Sequence, residues 1–133
     1  MKKQLKQVEE FHKAFKVPVL TAPEIPAMER CQLRIKLIQE ELNELQQAIE
    51  DKDMIEVMDA LTDIQYVVLG SVLEFGLSDR FEQMFDEVQR SNMSKLDDAG
   101  LPIFREDGKV LKSNNFFPPN FNRFLEENLQ TTE

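Results

Sequence analysis

The chain has 133 residues, 41% of them hydrophobic, which suits one compact domain over residues 1–133 with a single core. Its net charge of −9 and pI near 4.7 exclude a surface built to neutralise a nucleic-acid backbone, a task that needs clustered Lys and Arg. Cys31 is the only cysteine, so neither an intramolecular disulfide nor a thiolate metal cage is possible; it reads as a packing residue, in keeping with a reducing cytoplasm.

The N-terminus starts basic but turns acidic at Glu9 and Glu10 before any apolar stretch of signal-peptide length, so it does not read as a secretion signal. Residues 2–15 predict a first helix, with Leu5, Val8, Phe11 and Phe15 at helical spacing, ended by the Val17-Pro18 step. Three prolines make residues 18–26 a stiff extended connection expected to wrap the domain. A long helix follows over residues 27–50, with Ile35, Ile38, Leu42, Leu45 and Ile49 as its apolar stripe. Glu41 and Glu44 lie beside that stripe, on a line shared with Leu37 and Ala48.

After the Asp51-Lys52 turn, residues 53–75 predict a central helix, apolar around most of its circumference and interrupted by Asp59 and Asp63. Those acids and Glu74 would be costly in a bilayer, so the segment reads as a core helix of a soluble protein with no membrane partner. Gly76 is a natural stop and Ser78 a natural N-cap for the next helix, whose stripe is Phe81, Met84, Phe85 and Val88 and whose end falls near Arg90-Ser91-Asn92. The Asp107-Gly108 step between short apolar runs predicts a small hairpin over residues 103–111. Pro118-Pro119 breaks the chain, and Asn120 can cap a short last helix bearing Phe121, Phe124, Leu125 and Leu129. The expected fold class is all-α: an antiparallel helical bundle built on a long helical hairpin, with a small C-terminal hairpin or loop extension.

Within that hairpin the acids are arranged in mirror fashion. Residues whose numbers total about 103 face each other at equal height, and both Glu44/Asp59 and Glu41/Asp63 meet that condition. Carboxylates that converge without basic partners repel one another and need a divalent cation to stay ionised; hard oxygen ligands favour Mg²⁺ or Mn²⁺. A single Glu-x-x-Glu pair on a helix would read as a solvated face. The apolar setting of Asp63, within Leu61-Thr62-Asp63-Ile64-Gln65-Tyr66, is what asks for more, because a buried, unpartnered carboxylate costs several kcal/mol. A hydrogen bond from Thr62 or the backbone would be a cheaper answer than a metal.

These residues resemble the MazG-like all-α nucleoside triphosphate pyrophosphohydrolases, related to phosphoribosyl-ATP pyrophosphohydrolases and dimeric dUTPases. Their pattern looks like Glu-x-x-Glu on one helix and Glu-x-x-Asp on the next, and the resemblance spans roughly residues 11–119. Glu40-Glu41-Leu42-Asn43-Glu44 matches the first half. The second half departs: three before Asp63 stands Ala60, and the acid lies four before, at Asp59. Glu56-Val57-Met58-Asp59 has the literal spacing, but Glu56 has no mirror partner, so Asp59 and Asp63 are preferred with Glu56 as an outer reserve. Further resemblance comes from the Asn92-Met93-Ser94-Lys95 segment and from Asp107-Gly108-Lys109-Val110-Leu111-Lys112.

The resemblance implies hydrolysis of a nucleoside triphosphate between its α and β phosphates, giving a monophosphate and pyrophosphate, as in clearance of unwanted nucleotides. Glu41, Glu44, Asp59 and Asp63 would hold one or two Mg²⁺ ions, with Mn²⁺ as a substitute, and Glu41 or the adjacent Glu40 would orient or deprotonate the attacking water. Asn92, Lys95, Lys109 and Lys112 would contact phosphate oxygens, against ordinary surface polarity as the plain reading. His12, the only histidine, could lie near the base with Phe11 or Phe15 stacking, against a plain role in helix packing. Arg34, two turns before Glu41, could pair with an acid or with phosphate, whereas Arg30 reads as surface. Phe75, Phe81, Phe85, Phe116 and Phe117 exceed what one small bundle covers, which with the resemblance points to a homodimer or homotetramer. Two other readings remain open: a phosphoribosyl-ATP pyrophosphohydrolase, and a non-catalytic helical interaction module.

Overall fold

The computed structural model describes residues 1–125, and these form four α-helices, one 3-10 turn and no strand. Contacts divide the chain into two compact units, Met1–Asp79 and a second that begins at Arg80. The all-helical expectation and the long hairpin both hold.

The first unit contains α1 (Lys2–Ala14), α2 (Met28–Glu50) and α3 (Met54–Glu74). α2 and α3 pair along their length, and α1 packs on α3. The link between them is short because Lys52 adopts a left-handed φ of 54° and Asp53 then caps α3, its carboxylate accepting from Glu56 N at 3.2 Å. Leu5 and Val8 of α1, Ala48 of α2, and Ala60, Leu69, Val72 and Leu73 of α3 are the buried apolar residues.

Two stripes lie elsewhere than their spacing suggested. On α1 the buried line runs Leu5, Val8, His12; Phe11 and Phe15 face outward. The helix stops at Ala14, Lys16 turns the chain with φ 58°, and the returning strand of residues brings the Pro18 carbonyl onto His12. On α2 the face toward the bundle carries Arg34, Leu37, Ile38, Glu41, Leu45 and Ala48, and Ile35, Leu42 and Ile49 are exposed. Arg34 takes an inward place because α3 offers it acceptors there.

The proline-rich connection wraps the end of α3: Leu20 N donates to Leu73 O at 3.0 Å, a carbonyl that Gly76 N also reaches at 3.2 Å, and Glu24 N donates to Phe75 O at 3.1 Å, just past the helix end. Gly76 makes this possible. Its φ is +71°, and a Cβ there would fall 1.9 Å from the Ala22 carbonyl oxygen.

The second unit contains α4 (Phe81–Met93). It starts after Arg80, not from a Ser78 cap. Its fully buried positions are Glu87 and Ser91; of the expected stripe Phe81 and Met84 are half-buried, while Val88 and Phe85, the latter 58% exposed, face outward. The C-terminal segment explains the change: Asn120 N donates to Glu87 at 2.7 Å and Ser91 Oγ to Phe117 O at 2.8 Å, so polar positions are the ones covered. The expected hairpin is present as a single antiparallel bridge, Phe104 to Val110, around Gly108 at φ 88°. Asn120 Oδ1 accepts from Asn122 N ahead of the 3-10 turn Asn122–Leu125, while Leu129 lies outside the described residues. Among the described residues no helix is long and apolar enough to cross a membrane.

Candidate active site

The antiparallel pairing brings the mirrored acids together. A carboxylate oxygen from each of Glu41, Glu44 and Asp63 lies within 4.8 Å of the other two. Asp59 joins from the turn side, where it shares a cleft of about 410 Å³ with Glu44, Glu56, Gln47 and Asp51. Glu56, held in reserve by the sequence, therefore opens onto the same cleft as Asp59. Glu40 is exposed beside the cluster on α2.

The electrostatics are those of crowded like charges. Glu41 is pushed up to about 7, first by burial, then by a hydrogen bond with Glu44 and by the negative charges of Glu44, Asp63 and Asp59. Asp63 is raised by burial and by Asp59 and Glu44. Glu41 Oε2 is buried and has no hydrogen-bond partner. Thr62 Oγ1 donates to the Met58 carbonyl, so the cheaper answer raised for Asp63 is spent on the helix backbone. An orphaned buried carboxylate oxygen facing two further carboxylates, with oxygen donors alone, fits a hard divalent cation held by Glu41, Glu44 and Asp63.

Along the same hairpin, beyond Leu37 and Val67, lies an apolar pocket of about 310 Å³ lined by Phe11, His12, Val17, Leu33, Leu37, Tyr66 and Val67, with Arg30 and Arg34 also on its wall. Phe11 meets Tyr66 edge-on at 5.7 Å and stacks on Phe15 at 4.5 Å. His12 is 2% exposed, and its Nδ1 donates to Pro18 O at 3.0 Å. Burial lowers its pKa, which that hydrogen bond only partly offsets. Phe11 and Tyr66 are thus the exposed aromatic faces of the pocket.

A family profile for phosphoribosyl-ATP pyrophosphohydrolase matches residues 8–92, from α1 through nearly all of α4. The chain belongs to this family. It therefore falls within the MazG-like all-α nucleoside triphosphate pyrophosphohydrolase superfamily, and membership supports pyrophosphohydrolase chemistry on a nucleotide. All four mirrored acids lie inside the family match, as do His12 and Asn92; Lys95, Lys109 and Lys112 lie beyond it. None of the curated proteins compared matches the chain.

The remaining nominated residues belong to the second unit. Asn92 is exposed near the end of α4, and Lys95 is half-buried just after it. Lys109 is exposed in the hairpin turn, and Lys112 holds its ammonium 4.7 Å from the Phe116 ring centre.

The arginines differ from expectation. Arg34 pairs with none of the four acids; its guanidinium donates to Glu74 at 3.0 Å, to Ser71 Oγ at 3.0 Å and to Val67 O at 2.7 Å. Arg30 is no plain surface residue either, because it grips Glu74 with two bonds of 3.0 Å. The buried Glu74 at the foot of α3 is the residue that sequence reasoning missed. Its only signal was a carboxylate in an otherwise apolar run, four residues beyond Gly70.

Proposed function

We propose that the protein is a Mg²⁺-dependent nucleotide pyrophosphohydrolase, accepting Mn²⁺, that cleaves between the α and β phosphates and leaves a monophosphate and pyrophosphate. The observation that carries this reading is the buried, partnerless Glu41 oxygen facing Glu44 and Asp63. A divalent ion bound there would neutralise phosphate oxygens and acidify a water. Glu41, Glu44, Asp59 and Asp63 hold the cation, and Glu40 or Glu41 orients the attacking water and takes its proton. The base enters the apolar pocket and lies against Phe11 and Tyr66, His12 holding the pocket wall through Pro18. Asn92, Lys95, Lys109 and Lys112 supply donors to the phosphates.

The substrate is an ordinary or modified nucleoside triphosphate in a pool-cleaning role. The family's name favours a second candidate, phosphoribosyl-ATP. The reading also includes a cytoplasmic setting and a homodimer or homotetramer, supported by Met28, Ile35, Leu42 and Ile49, which recur every seventh residue along α2 and are all exposed. Incubation with Mg²⁺ and a panel that includes phosphoribosyl-ATP, followed by product identification, tests the chemistry. Monophosphate with pyrophosphate is expected; diphosphate with orthophosphate would refute α–β cleavage, and turnover of phosphoribosyl-ATP alone would replace the pool-cleaning role.

A further inference from the structure

The hairpin has a second polar feature. Arg30, Arg34 and Glu74 form a triad in which the Glu74 carboxylate is 1% exposed and the Arg34 side chain nearly as buried. Arg34 uses all three guanidinium nitrogens on α3: Nη1 to Glu74, Nε to Ser71 Oγ and Nη2 to the Val67 carbonyl, which also accepts from Ser71 Oγ at 3.1 Å. Desolvation makes such a triad a poor source of net stability; its best-attested use is to specify one alignment among several. Here the alignment is that of the acids. Arg30 with Glu74, Arg34 with Ser71, and Glu41 with Asp63 all have residue numbers totalling 104 or 105.

The turn ties the two helices at one end, where Asp53 N donates to Ala48 O at 3.0 Å, and the triad ties them at the other, with the acids between. Between the acids and the turn, the fully buried side chains are Ala48 and Ala60, which interlock weakly, and the acids themselves repel. A slip of one residue moves a side chain about 1.5 Å along the axis and about 100° around it, which a Mg²⁺–oxygen bond of about 2.1 Å does not tolerate. Gly70 supplies an independent mark of the same device. A Cβ there would lie 2.4 Å from Arg34 Nη2 and 2.9 Å from His12 Nε2, so the missing side chain is what admits the guanidinium.

We infer that Arg34, clamped by Glu74, Ser71 and the Val67 carbonyl, is a positioning residue that fixes α2 against α3 so that Glu41 stands opposite Asp63. The inference rests on the metal reading above only for its consequence; the alignment itself can be measured without it.

The test uses spin labels at Gln39→Cys and Gln65→Cys in a Cys31→Ser background, both labelled positions being exposed, beside Mn²⁺ titration by electron paramagnetic resonance. Arg34→Lys keeps the charge facing Glu74 but loses the fork. It is expected to stay folded, broaden the 39–65 distance distribution, weaken Mn²⁺ binding about ten-fold and lower kcat with KM held within about two-fold. If Arg34→Lys fails to fold, the Arg34→Met/Glu74→Leu pair replaces buried charge with apolar volume; it should fold, yet show the same broadening and weakening. A folded variant with the wild-type distance distribution and wild-type Mn²⁺ affinity would overturn the assignment. Broadening in a protein whose wild type binds no Mn²⁺ would uphold the alignment role and overturn the proposed function instead.

Discussion

Glu41 and Asp63 show how one position can serve function at the expense of stability. Each carboxylate is raised by burial and by its neighbours, so without a bound cation the cluster opposes folding. Asp63→Asn removes one charge from the group and should raise the melting temperature of the metal-free protein by about 3 °C while abolishing turnover. Calorimetric melting beside a pyrophosphate assay checks this; a stabilised variant with intact turnover would remove Asp63 from the catalytic cluster, and stabilisation with no turnover in either protein would favour the non-catalytic module. Glu87 behaves in the opposite sense. The Arg90 guanidinium, then the Asn120 amide, hold it down to about 2. Its folded pKa lies below its unfolded one, so its contribution is present above about pH 4.5 and is lost as pH falls toward 2. Glu87→Gln should flatten the acid limb of the stability curve in that window, as followed by circular dichroism.

At the scale of elements, the two glycines of the first unit should differ in cost. Gly76→Ala combines a left-handed φ with a collision against the Ala22 backbone, which cannot yield, and should cost about 3 kcal/mol or more. Gly70→Ala collides with side chains that can shift, so it should cost about 1–2 kcal/mol, as measured by urea unfolding. The helices themselves were legible: periodicity, Pro18 and Gly76 placed α1, α2 and α3 within a residue or two. The mirror relation across the Asp51–Lys52 turn also foretold that Glu41 and Glu44 would lie near Asp63, whereas Asp59 stands outside that group of three and faces the cleft toward the turn. What spacing could not show was which side of each helix would be inward. Ile35, Leu42 and Ile49 are as apolar as any core stripe, yet the inward face of α2 is chosen by Arg34 and Glu41, whose partners lie about forty and about twenty residues away in the chain. On α4, likewise, the covered face is set by Asn120 and Phe117, which no local pattern around Glu87 or Ser91 could reveal.

For the whole molecule, the exposed row on α2 and the exposed Met54, Met58 and Leu61 of α3 leave the hairpin with an uncovered apolar side. Placing charge there, as in Ile35→Lys with Leu42→Glu, should convert a homodimer or homotetramer to monomers in light scattering at equal concentration. A monomeric wild type would remove the oligomer from the account. The most direct test of the central claim is divalent-dependent release of pyrophosphate by the wild type and by Glu44→Ala, with folding of both confirmed. The account predicts Mg²⁺- or Mn²⁺-dependent release by the wild type, eliminated by chelation, and loss of at least ~100-fold in Glu44→Ala. Release that survives both chelation and Glu44→Ala would contradict it.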